Sequence, residues 1–141
     1  MKRLLFDTAV FLYARGGKHP YREPCRALLR RTQTGDVVSE ASVEMVQEFV
    51  HVRLRRGGQR SAVMAEARAV AAACRLHRFD QEILTLSLVL LERHIALDAR
   101  DAVHAATALT AGIEIIVSPD RAFDDIVELR RVDPLEATLL D

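Results

Sequence analysis

Four carboxylates stand at positions where folding would bring them together. Asp7 ends the short apolar run Lys2–Phe6, Asp120 follows the β-branched run Ile113–Ser118, Asp101 lies in the first turn of a helix, and Glu48 lies inside another helix. In an open parallel α/β sheet, ligands bind beyond the carboxyl ends of the strands. Asp7 and Asp120 therefore become neighbours if their strands pair, and Asp101 faces the same pocket. Each residue also has a purely local role open to it. Asp7 and Asp120 suit the caps of the turns that follow them, and Asp101 suits the acidic partner of Asp98 in a capping-box-like pair. Glu48 suits a solvated helix face, next to Glu44 one turn earlier, with His51 and Arg55 to screen it. Taken singly, the local roles are the simpler ones; the chemical case rests on convergence.

Carboxylates gathered within about 4 Å repel by roughly 4 kcal/mol per pair at an effective dielectric near 20, so such a pocket needs protons or a cation. Cys25 and Cys74 lie far apart, and neither has a second Cys at ligand spacing, so neither a zinc knuckle nor a disulfide framework is indicated. Hard oxygen ligands point instead to Mg²⁺ or Mn²⁺, the ions that hold phosphates and water while using few protein ligands. Phosphate chemistry is the matching reaction class.

The elements that must position these residues can be read from periodicity. Lys2–Phe6 reads as a strand and Thr8–Ala14 as a helix. A second helix opens near Pro20 and closes at Gly35, and Asp36–Ser39 is a short strand. From Glu40 to about Arg56, Val43, Val46, Phe49 and Val50 mark one buried helical face, and Gly57-Gly58 stop it. Ser61–Cys74 continues as the second arm of a helical hairpin, and Leu76–Phe79 is a strand or an extended connector. Asp80 caps a helix Gln81–His94, apolar almost all round and so placed at the centre of the core. Asp98 caps Ala99–Ala111, which Gly112 ends. Ile113–Ser118 is a strand, Pro119-Asp120-Arg121 opens a helical turn, and Leu129–Val132 is a last strand before Pro134. Strands alternating with helices predict an α/β sandwich with a parallel sheet.

A chain of 141 residues, half of them hydrophobic and 28% charged, suits one folded domain spanning 1–141. Its longest apolar stretch, Ile83–Leu91, is too short to cross a bilayer, and the cysteine usage fits a reducing cytoplasm. Net charge is zero but unevenly spread: residues 1–80 hold 15 Lys or Arg against 8 Asp or Glu, and residues 81–141 hold 5 against 12. Of the twenty cations, all but Lys2 and Lys18 are Arg, which suits forked contacts to phosphate, although such a bias also follows from genomic composition.

Four segments carry a resemblance: LLFDTAVFLYA at 4–14, SVEMVQEFVHV at 42–52, RDAVHAATAL at 100–109 and VSPDRAFDDI at 117–126. In this order and spacing they resemble the PIN-domain family, and within it the VapC-like toxins of type II toxin-antitoxin systems. The resemblance implies a PIN-like three-layer sandwich: a short, mainly parallel central sheet flanked by helices and a helical hairpin. It places the acidic metal site on Asp7, Glu48, Asp101 and Asp120, with Asp124 as an accessory carboxylate, Thr8 and Ser118 as supporting hydroxyls, and Glu44 as the reserve for Glu48. His104 matches a helix position for which packing or local hydrogen bonding is favoured over ligation. Ser118-Pro119-Asp120 departs from the family, which commonly has a small residue where Pro119 stands, so the local turn is the open point. The implied activity is Mg²⁺- or Mn²⁺-dependent hydrolysis of RNA phosphodiesters, leaving a 5′-phosphate and a 3′-hydroxyl. The implied partners are an RNA substrate, a cognate VapB-like antitoxin that covers the acidic pocket, and a second copy in a homodimer.

Two other readings compete. An aspartyl phosphotransferase lacks its second Asp two residues after Asp7 and any Lys beyond position 18. A catalytically inactive PIN-like module would bind RNA or a protein without cutting, a reading that retention of all four acids argues against.

Overall fold

In the computed structural model, which describes residues 1–141, the chain opens with strand β1 (Lys2–Phe6) and turns at Asp7 into helix α1 (Thr8–Arg15). Then follow α2 (Arg22–Gln33), β2 (Val37–Ser42), α3 (Val43–Arg55), α4 (Arg60–Ala73), β3 (Arg75–His77), α5 (Gln81–Arg93), α6 (Ala99–Ala111), β4 (Ile115–Val117) and β5 (Arg130–Val132). Two 3-10 segments, Arg121–Asp125 and Pro134–Leu140, follow β4 and β5. The strands form one sheet in the order β3-β2-β1-β4-β5, and every neighbouring pair is parallel.

Side chains alternate across this sheet as the pleat requires. Leu4 and Phe6 of β1 join the core formed with α1 to α4, while Leu5 joins the core formed with α5 and α6. Ile116 and Val117 of β4 divide in the same way. The result is the expected three-layer α/β sandwich, with the hairpin α3–α4 on one face. No helix is long and apolar enough to cross a membrane.

The chain fills the sheet from β1 outward in one direction, through β2 and β3, and then returns to the other side of β1 with β4. That reversal between β1 and β4 is a switch point, where two loops leave the sheet in opposite directions and open a crevice. The register Phe6↔Val117 sets Asp7 beside Ser118, and the Asp7 amide donates to the Val117 carbonyl at 3.1 Å.

Three expectations are corrected. The second strand runs to Ser42, so α3 begins three residues later than its periodicity suggested. Glu40 lies wholly buried inside that strand because Arg3 grips its carboxylate through Nε at 2.5 Å and Nη2 at 2.9 Å, with His77 Nε2 at 2.8 Å. The buried residues of α3 are Met45 and Phe49, whereas Val43 is 41% exposed and Val46 and Val50 are half-buried. Finally, α5 is not the central helix: Leu84 and Leu88 face outward, and only Ile83, Ser87 and Leu90 are buried. The central position belongs to α6, buried continuously from Asp101 to Ala108 and rich in alanine, which lets its backbone approach the sheet closely.

Candidate active site

Asp7 follows β1 with extended backbone and makes no side-chain cap to α1; its Oδ2 instead accepts from Ser118 Oγ at 2.6 Å. The same Ser118 oxygen accepts from the Asp120 amide at 3.0 Å, so one buried hydroxyl ties together the residues after β1 and β4. The expected supporting role of Ser118 therefore has a specific geometry, and Pro119 fits within this turn. Asp120 is exposed and does cap the 3-10 turn, with Oδ1 accepting from the Ala122 amide at 2.9 Å. One of its oxygens is thus engaged locally.

Glu48 reaches the crevice from α3. Thr8 Oγ1 donates to its Oε1, His104 Nε2 lies 3.3 Å from the same oxygen, and Arg100 Nη1 lies 3.6 Å from Oε2. These partners come from other elements, not from His51 and Arg55 on its own helix. The solvated-face role of Glu48 is therefore not what the fold adopts. Asp7, Glu48 and His104 bring ligand atoms within 4.8 Å of one another, and His104 Nε2 lies 3.9 Å from Asp7 Oδ1.

Asp98 accepts from the Asp101 amide at 2.8 Å and so fixes the start of α6 above the crevice. Burial pushes the Asp101 carboxyl up to about 8, and the charges of Asp7, Asp98 and Asp120 push the same way. Burial also raises Asp7, more than His104 and Ser118 lower it. Glu48 goes the other way: burial raises it, but hydrogen bonds from His104 and Thr8 and the charges of His104 and Arg100 bring it below the ordinary value. For wholly buried His104, desolvation opposes protonation, yet the hydrogen bond to Glu48 and the charges of Asp7, Glu48 and Asp101 raise it overall. The positive charge of His104 therefore reaches Asp7 and Asp101 as well as Glu48 but does not offset their burial, whereas Arg100 acts on the Glu48 side.

The remaining candidates lie elsewhere. Asp124 is held by Arg131, at 2.7 Å through Nε and 3.3 Å through Nη2, which lowers its carboxyl and engages both oxygens outside the cluster. Glu44, the reserve for Glu48, faces Arg100 Nε at 3.8 Å and does not enter the group. Two residues were undervalued by sequence reasoning. His104 is hydrogen-bonded as expected but also belongs to the tight three-residue group, and Arg100 bridges Glu44 and Glu48. The signal was present: Arg100 and His104 stand four apart on one face of α6, and Asp101 and His104 three apart.

A family model described as the PIN domain matches residues 4–129. Ribonuclease VapC7 of Mycobacterium tuberculosis is 39% identical over 134 residues, which cover 93% of this chain and 91% of that protein. Among solved structures, M. tuberculosis VapC20, a sarcin-ricin loop cleaving toxin, superposes with a TM-score of 0.71 at 21% identity, covering 90% of this chain and 98% of that one. A toxin-antitoxin complex from Klebsiella pneumoniae gives 0.69 at 18% identity, covering 93% and 97%.

Proposed function

The chain belongs to the PIN-domain family, as VapC ribonucleases do, and from that premise we propose that it is a single-domain, divalent-cation-dependent endoribonuclease toxin restrained by a cognate VapB-like antitoxin. The observation that carries the reading is the meeting of Asp7, Glu48 and His104 at the switch point, with Asp120 joined to Asp7 through Ser118. The donor set fits Mg²⁺ or Mn²⁺, because the pocket offers hard carboxylate oxygens and is short of positive charge at its centre. In the proposal Asp7, Glu48, Asp101 and Asp120 hold the cation. When bound, it would offset charge on a phosphodiester and lower the pKa of water.

The chain's own residues then have separable tasks. Ser118 and Thr8 fix the carboxylates of Asp7 and Glu48 by donating to them, so that neither rotates away. His104 restrains Glu48 from beneath, and Arg100, at the rim, offers a guanidinium to an incoming phosphate. An acidic crevice of this kind also suits the basic side chain of an antitoxin. A second protein contact, in a homodimer, is supported by the apolar depression of about 420 Å³ lined by Val43, Val46, Val50 and Leu76. RNA cleavage by the purified chain tests the reading. It should require Mg²⁺ or Mn²⁺, stop in EDTA, and fall at least 100-fold in Asp7→Asn. Cleavage without metal, or full activity in the variant, would reject the assignment; binding without cleavage would favour the inactive module.

A further inference from the structure

The junction of α1 and α2 holds a feature that the acidic site does not use. The rings of Tyr13, His19 and Tyr21 form a compact trio, with centroids 4.5, 5.1 and 5.9 Å apart and planes inclined by only 23–26°. Two of them are held by hydrogen bonds: the Tyr21 amide donates to His19 Nδ1 at 3.1 Å, and Tyr21 Oη donates to Asp133 Oδ2 at 2.8 Å. The inner edges of the tyrosines touch the core, but both residues are only half-buried and His19 is exposed. On the same two helices, Arg15, Arg26 and Arg30 line a depression of about 300 Å³, where Arg26 donates to the Ala14 carbonyl at 2.9 Å and pairs with Glu23 at 3.5 Å. Arg15, Lys18, Arg22 and Arg30 have no acidic partner, and Arg22 Nε is buried without a hydrogen bond. Pre-fixed aromatic faces beside unpaired cations make the combination that single-stranded nucleic acid recognises.

The trio is also within reach of the acidic crevice. Tyr13 lies six residues beyond Asp7 on α1, about 9 Å along the axis. Asp133 follows β5, whose last carbonyl, that of Val132, accepts from the Ser118 amide at 3.1 Å. Both therefore lie at the same edge of the sheet. We propose that this junction is a docking platform for single-stranded RNA, with Tyr13, His19 and Tyr21 stacking on unpaired bases and the unpaired Arg15 and Arg30 holding phosphates of the same strand. The inference rests on the ribonuclease reading, for which it supplies a substrate subsite.

The chain has two tyrosines, both in the trio, and no tryptophan, so tyrosine emission reports on this platform alone. The full chain in EDTA would be titrated at low salt with a single-stranded RNA 10-mer, the same strand made largely abasic, and an RNA duplex. Saturable quenching is expected with the single strand and much less with the other two. His19→Ala, which alters an exposed side chain and keeps both reporters, should weaken single-strand binding about tenfold with unchanged Tm; Tyr13→Leu should do at least as much. Equal quenching by the abasic strand, or unaltered affinity in His19→Ala, would overturn the platform. A parallel cleavage assay in Mg²⁺ separates the two claims. Cleavage without any tyrosine response overturns the platform alone, whereas a base-dependent response with no cleavage upholds it and sinks the nuclease reading. Neither signal sinks both.

Discussion

Asp7, Ser118 and Asp120 were readable because each ends a recognisable strand or follows one, and the pleat leaves little freedom beyond a strand end. Glu48 was readable only as a family position. Its actual partners, Thr8, His104 and Arg100, are 40 or more residues away in sequence, and no local pattern encodes such a meeting. The excess of negative charge around Asp101 leads to a prediction at this scale. With its carboxyl pushed up to about 8, Asp101 costs folding stability at any pH above its unfolded value, about 3.9. Asp101→Asn keeps the shape and removes that cost, so at pH 7 in EDTA it should raise stability by on the order of 1 kcal/mol, roughly 3 °C in Tm. Added Mg²⁺ should raise the Tm of the parent more than that of the variant. A variant that is less stable in EDTA would show that the charge is already compensated.

At the scale of elements, caps were the most legible feature. Asp80 and Asp98 accept from the amides three residues on, at 3.0 and 2.8 Å, and Gly112 ends α6 at a φ of +71° that favours glycine. Which helix would be central was not legible. The leucines of α5 suggest burial, yet that helix packs on α6 through one face, and its composition does not distinguish the two faces. The β2–α3 boundary was hidden for a different reason: a glutamate within a strand is tolerable only when distant cations neutralise it. Substitution can check the ranking of the helices. Ala105→Leu, at a wholly buried site on α6, should cost about 1–3 kcal/mol by overpacking. Leu88→Lys, on the outer face of α5, should stay within about 0.5 kcal/mol. Chemical denaturation of both variants would decide it.

Over the whole molecule, the ion pair of Arg3 with Glu40 links β1 to β2 on the side away from α1, and His77 joins it from β3. Arg3, ahead of the opposing cost of burial, holds the Glu40 carboxyl below the usual carboxylate range. A lowered acid contributes stability above its unfolded value, about 4.3, and loses it as pH falls through the folded value. Thermal unfolding should therefore show a loss of stability below about pH 4 that is smaller in Glu40→Gln, whose Tm at pH 7 is lower than the parent's; an identical acid limb in both proteins would exclude this pair as its source.

The order in which the strands join the sheet has one more outcome. Asp7 and Glu48 lie within the first 48 residues, but β4, after which Ser118 joins Asp120 to Asp7, comes only after residue 114. A nascent polypeptide leaving the ribosome thus carries half a pocket for most of its synthesis, and the pairing that closes it is a long-range contact that forms late. For a protein whose proposed target is RNA, that timing would protect the translating machinery: a chain terminated before Ile115 should be harmless to the cell that makes it, whatever its level.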